Sequence, residues 1–177
     1  MRLAALILVF APLAASAECP APPDHGAERD ALLDALAAAP DPAQAALAAA
    51  GLWQLWFTAP DPKAQDLLDR AGLEIRSGDF AAAEALLGAL VAYCPAYAEG
   101  WNQRAFARFL AGDLDGSLAD IAEVLAREPA HFGALSGKVQ ILFRQGRVEE
   151  AQAVLRAALK INPWLPERVL LAPGEPI

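Results

Sequence analysis

Residues 98–131 read AEGWNQRAFARFLAGDLDGSLADIAEVLAREPAH. A large apolar residue, Trp101, is followed four positions later by the small Ala105. The turn Gly112-Asp113-Leu114 comes next, then Ser117, Ile121 and Val124 at steps of four and three, and Pro129 closes the stretch. Steps of three and four place side chains on one helix face. A glycine fits just past a helix end because it takes positive φ at little cost. A proline stops the helix that precedes it. The stretch therefore predicts two helices joined by a tight turn.

The same marks recur on either side at a step of 34 residues. Gly78, Gly112 and Gly146 share one phase, and Pro95, Pro129 and Pro163 share another. Leu67, Trp101 and Leu135 are the large apolar residues, and Ala71, Ala105 and Val139 the slim ones that let paired helices approach. In the second helix Ala83, Ser117 and Ala151 precede Leu87, Ile121 and Leu155, then Leu90, Val124 and Ala158. Asp79 and Asp113 stand where a helix start favours an acidic group. The repeating units are 64–97, 98–131 and 132–165. A period of this length is the mark of a helix–turn–helix array.

The pattern resembles the tetratricopeptide repeat over 64–165. It departs where Glu74, Arg108 and Leu142 replace the aromatic residue usual late in the first helix, and only the middle unit has the early tryptophan. The resemblance implies an all-α fold: a right-handed α-solenoid of helix–turn–helix repeats, three clear repeats plus a degenerate N-terminal helical pair. Arg70, Arg104 and Lys138 recur three positions after the large apolar residue. They read either as a ligand-facing stripe or as snorkelling side chains paired with acids on the next helix, Asp120 being the partner expected for Arg104.

Residues 1–17 have the layout of a secretion signal: Arg2, an apolar core Leu3–Leu13, and Ala15-Ser16-Ala17 before the cleavage point. The apolar run is too short for a membrane span, so no integral membrane segment is expected after cleavage, and the expected location is periplasmic or secreted. Residues 18–26, with Pro20, Pro22 and Pro23, read as an irregular leader. Residues 27–63 form the degenerate helical pair. Its second helix starts at Asp41-Pro42, a cap followed by proline in the first helical position. Asp61-Pro62 repeats the device. Carrying the 34-residue phase backward sets Ala49, Trp53 and Trp56 where Ala83, Leu87 and Leu90 fall. This pair is expected to cover the open apolar end of the array. Trp53, Trp56 and Phe57 then pack against the first repeat or form an exposed aromatic site. Residues 166–177 are a short cap and tail, with Val169, Leu170 and Leu171 expected against the last repeat.

Acidic residues outnumber basic ones by 22 to 14, giving a formal charge of −8. Such a chain repels phosphate backbones, so nucleic acid is not an expected partner. The two cysteines, Cys19 and Cys94, either form a disulfide suited to an oxidising compartment or remain two thiols. His25 and His131 are the only histidines, and neither has an acid or cysteine at ligand spacing. No catalytic, cofactor or metal site is predicted, and the expected role is not that of an enzyme.

In the tetratricopeptide class the first helix of each pair lines the concave surface. The resemblance places Leu68, Gly72, Ile75 and Arg76 there, then Asn102, Phe106, Phe109 and Leu110, then Ser136, Gln140, Phe143 and Arg144. Of these, Leu68, Arg76, Asn102, Phe106, Phe109, Gln140, Phe143 and Arg144 are the expected partner-binding residues. Phe106 and Phe109 alternatively pack between helices. Some relatives hold a C-terminal carboxylate in a lysine- and asparagine-based cradle, and Leu68, Gly72, Gln103, Gly133 and Gly137 stand in its place here. The expected partner is another protein or peptide with apolar anchors and an acidic group. The expected role is a non-catalytic interaction or assembly module of the cell envelope. The other reading is a structural subunit that docks through its C-terminal end.

Overall fold

The computed structural model describes residues 18–173. The signal segment expected over 1–17 and the last four residues lie outside the described residues. Eight α-helices follow in order: α1 Gly26–Ala37, α2 Pro42–Trp56, α3 Pro62–Ser77, α4 Phe80–Tyr93, α5 Ala98–Ala111, α6 Leu114–Arg127, α7 Phe132–Arg144 and α8 Val148–Ile161. A 3-10 helix, Pro166–Leu170, ends the series.

The helix starts follow the aspartates. Asp41, Asp61, Asp79 and Asp113 each accept a hydrogen bond from the backbone N–H three residues on, which satisfies one of the donors a helix start leaves free. At α7 the cap is instead His131, whose Nδ1 accepts from the Ala134 N–H. The turns inside the hairpins close through Gly78, Gly112 and Gly146, at φ values of 85°, 88° and 71°. Side chains with a Cβ are strained in that left-handed region.

The hairpins α3–α4, α5–α6 and α7–α8 stack side by side, α4 against α5 and α6 against α7. Within each hairpin the helices meet at buried slim residues: Ala71 and Ala83, Ala105 and Ser117, Val139 and Ala151. Ser117 donates its hydroxyl to the Ala105 carbonyl at 2.7 Å, so its polar atom is satisfied inside the contact. Leu68, Leu87 and Leu90 fill the first hairpin. Ile121, Val124 and Ile141 fill the seam between the second and third.

The hairpin α1–α2 does not cover the first repeat. Leu36, Leu52 and Trp56 share one core with Phe132, Val139, Leu155, Leu159 and Leu165, so the hairpin lies over the third repeat. The reason is where apolar surface needs cover. The outer face of α3 is polar, with Lys63, Asp66, Asp69 and Arg70 exposed. The face of α7–α8 carries the large apolar side chains and would otherwise be open to water. The aromatic cluster moves with the hairpin: Trp53 and Trp56 pack on His131 and Phe132, not on the first repeat.

Helix α2 runs along the row of junctions between repeats. Tyr97, His131 and Leu165 stand 34 residues apart. The Tyr97 hydroxyl donates to the Trp56 carbonyl at 2.7 Å, and burial raises its pKa so that it stays a donor. The His131 ring stacks on Trp56, and Leu165 joins the same core. Two further ties hold the N-terminal segment. Arg29 pairs with Glu128 at 3.2 Å, and Cys19 is joined to the buried Cys94 by a disulfide.

The C-terminal cap is also smaller than expected. Leu165 and Glu167 are buried and Leu171 packs on the shared core. Val169 and Leu170, expected inside, are 82% and 45% exposed. A 3-10 helix has three residues per turn, so Val169 falls on neither the side of Leu165 nor that of Glu167, while Leu170, in line with Glu167, is half exposed at the end of the element. The α1–α2 hairpin has already covered the surface they were expected to protect.

Two outcomes follow from this arrangement. Leu52→Ala should cost about 3 kcal/mol in urea unfolding, the usual cost of emptying a fully buried leucine site. It should speed hydrogen exchange in α7 and α8 more than in α3 and α4; the reverse order would place the hairpin on the first repeat. Reduction of the disulfide should lower stability by up to about 4 kcal/mol, since the bridge constrains a long loop in the unfolded chain. An unchanged urea midpoint in reductant would contradict this.

Candidate functional site

Helices α5 and α7 lie side by side, and a cavity of about 460 Å³ opens between them. Its floor is made of small residues, Ala105, Gly133, Ala134 and Gly137, with Ile121 of α6 beneath. Phe106 and Phe109 form one wall. The other wall comes from outside the repeats: Trp53 and Phe57, at the end of α2. Phe106 is 46% exposed and Phe57 40%, so both rings are open to a ligand. Gly133 is needed here, because a Cβ at that position would collide with the Trp53 ring. The hairpin therefore docks through a glycine of α7 and completes the cavity as it does so.

Two buried carboxylates stand behind the walls. Glu99, 1% exposed, accepts from Asn102 Nδ2 at 3.1 Å and Gln103 Nε2 at 2.6 Å through Oε1. Its Oε2 meets His131 Nε2 at 2.9 Å. His131 Nδ1 is already an acceptor for the Ala134 N–H, so the ring proton sits on Nε2 and the imidazole is neutral. Trp56 lies over that ring, centroids 3.9 Å apart and planes 20° apart. On the α7 side Glu167, 8% exposed, accepts from the Ser136 hydroxyl at 2.7 Å and Gln140 Nε2 at 2.8 Å. Its second oxygen, Oε2, is buried without a hydrogen-bond partner among the described residues.

The expected binding residues divide into three groups. Asn102, Phe106, Phe109 and Gln140 line the cavity. Arg144 sits at its rim, its guanidinium 4.1 Å from the Phe109 ring centroid. Leu68, Phe143 and Arg76 lie elsewhere. Leu68 shares a face with Ala64 and Ala71 and is buried in the first hairpin. Phe143 continues the stripe of Phe132, Leu135 and Val139 and packs into the core shared with α1–α2. Arg76 is exposed at the end of α3 and does not line the cavity. Leu68 is in phase with Asn102 and Ser136, but it and Arg76 stand on α3, away from the space between α5 and α7; Phe143 is in phase with Phe109 and is drawn into the core shared with α1–α2. Arg104 is held by Asp120 at 2.7 Å and shares it with Arg108, and Arg70 pairs with Asp66. The basic repeat position pairs with the next helix in the second unit; in the first, Arg70 is exposed and its partner lies on its own helix.

Glu99 and Glu167 were not expected at the site, and Trp53 and Phe57 were read as core or as an exposed aromatic site of their own, not as a wall of the groove. Glu99 and Glu167 carry one faint signal: they occupy the same repeat position two periods apart, with Gly133 between them. Among the described residues no group of His, Cys, Asp and Glu is arranged to hold a metal ion, and no helix is long and apolar enough to cross a membrane.

The tetratricopeptide repeat family matches residues 108–164. A TPR repeat-containing protein of Rhizobium etli is 42% identical over 73 residues, which cover 41% of this chain and 36% of that protein. The matched stretch thus spans about a third of that relative's length.

His131→Ala should destabilise the protein by about 3 kcal/mol. It removes a helix cap, leaves a Glu99 oxygen without its donor and takes away the ring under Trp56. Urea unfolding measures it, and a loss below about 1 kcal/mol would show that the His131–Glu99 pair does not hold the junction.

Proposed function

We propose that this chain is a tetratricopeptide-repeat protein that holds a segment of another polypeptide against α5 and α7, as a non-catalytic assembly module of the cell envelope. Tetratricopeptide repeats are interaction modules. One observation carries the finer reading: a cavity of about 460 Å³ with half-exposed aromatic rings on both walls. Such a space suits an apolar anchor on a partner segment, since interfaces draw most of their affinity from a few side chains buried in pockets. The disulfide supports the envelope placement, because such bridges persist in oxidising compartments.

The docking alternative is supported by the exposed pair Val169 and Leu170 at the C-terminal end. The two readings separate by mutation. Phe106→Ala should weaken the affinity for a partner captured from envelope extract about tenfold, while the double change Val169→Ser with Leu170→Ser should leave it unchanged. Biolayer interferometry on the purified pair measures both. The opposite result places contact at the C-terminal end.

A further inference from the structure

The groups that hold Glu99 and Glu167 are all neutral. Asn102, Gln103 and His131 serve the first; Ser136 and Gln140 serve the second. A buried carboxylate whose hydrogen bonds come only from neutral donors has no cation bonded to it, and burying such a group is costly. Neither lines the cavity: Glu99 stands one hydrogen bond behind it through Asn102 and Gln103, and Glu167 through Ser136 and Gln140. Glu99 also borders a second hollow with Arg29 and Arg127.

The lining follows from them. A carboxylate only accepts hydrogen bonds, so Asn102, Gln103 and Gln140 each spend an amide N–H on one, which leaves their amide oxygens as acceptors. The hydroxyls of Ser136 and Ser117 are also spent inward, on Glu167 and on the Ala105 carbonyl. The cavity thus combines acceptor oxygens and aromatic faces with negative charge in a shielded setting. Cations are drawn to aromatic faces, and charge in a water-poor site acts more strongly than at the surface. The rim shows the same preference, since Arg144 already lies on the outer ring of Phe109. Arg144 is exposed, and solvent ions screen its charge.

We propose that the cavity accepts a basic side chain, arginine or lysine, of the partner polypeptide, set among Trp53, Phe57 and Phe106. The proposal rests on the groove reading above and specifies its ligand. An acidic group set inside the cavity would lie one side chain from two carboxylates, whereas the sequence led us to expect apolar anchors with an acidic group alongside.

Three acetylated and amidated hexapeptides of alanine and leucine, identical except for arginine, norleucine or glutamate at one central position, test it. Each is titrated into the oxidised protein while the amide signals of Gly133 and Gly137 and the Trp53 indole signal are followed by NMR. The arginine peptide should bind about tenfold more tightly than the norleucine peptide, and the glutamate peptide should give no saturable shift. Phe57→Ala and Phe106→Ala, both at exposed rings, should each weaken the arginine peptide about fivefold while leaving the spectrum folded. Norleucine or glutamate binding as tightly as arginine would overturn the basic anchor and keep the groove. No shift at these positions with any of the three would overturn both.

Discussion

Trp56 lies flat on His131, and the ring beneath it is fixed through both nitrogens, by Ala134 on one side and Glu99 on the other. Much of the molecule's shape depends on this contact. An array of stacked hairpins has two ends, and an apolar end must be covered. Here the cover is brought from the start of the chain to the last repeat, and the Trp56–His131 stack is where it lands. The same histidine caps α7, so the landing point and the start of the third repeat are set by one side chain. The Tyr97 hydroxyl holds the Trp56 carbonyl at the neighbouring junction. The N-terminal hairpin is therefore registered against two repeat boundaries.

The hairpin changes what the repeats alone would offer. A bare stack presents an open curved wall. With α2 in place, Trp53 and Phe57 stand opposite Phe106 and Phe109, and the wall becomes a cavity with two sides. The geometry depends on a missing side chain. Where the second unit has Glu99 and the C-terminal cap has Glu167, the third unit has Gly133, and the Trp53 ring occupies the space its Cβ would need. The repeat is broken at one position so that an element from outside it can enter.

The array itself was legible. The glycines at 78, 112 and 146 fall at left-handed turns, and the slim residues paired by the 34-residue step meet inside the hairpins. These are local consequences of chain geometry, so a periodic sequence displays them. The destination of α1–α2 was not legible. Phase identifies Trp53 and Trp56 as inward residues without saying which end of the stack receives them. That choice rests on the polar outer face of α3 and the apolar face of α7–α8, a comparison between distant surfaces. The site was half legible for the same reason. Phe106, Phe109, Asn102 and Gln140 follow from the helical period, whereas Trp53 and Phe57 come from the hairpin's placement. Glu99 and Glu167 are acids in a sequence full of exposed acids, and beyond their shared repeat position only their burial sets them apart.

The bridge between Cys19 and Cys94 has a further effect on how the chain can be handled. It turns the first two hairpins into a covalent ring, with α1 through α4 inside it. A machine that threads polypeptide as a single strand meets that ring as an obstruction at the N-terminal side, while from the other end α8 and α7 feed in freely. Degradation and mechanical unravelling of the oxidised protein are thereby given a direction, from the tail toward the knot-like head, until a reductant opens it.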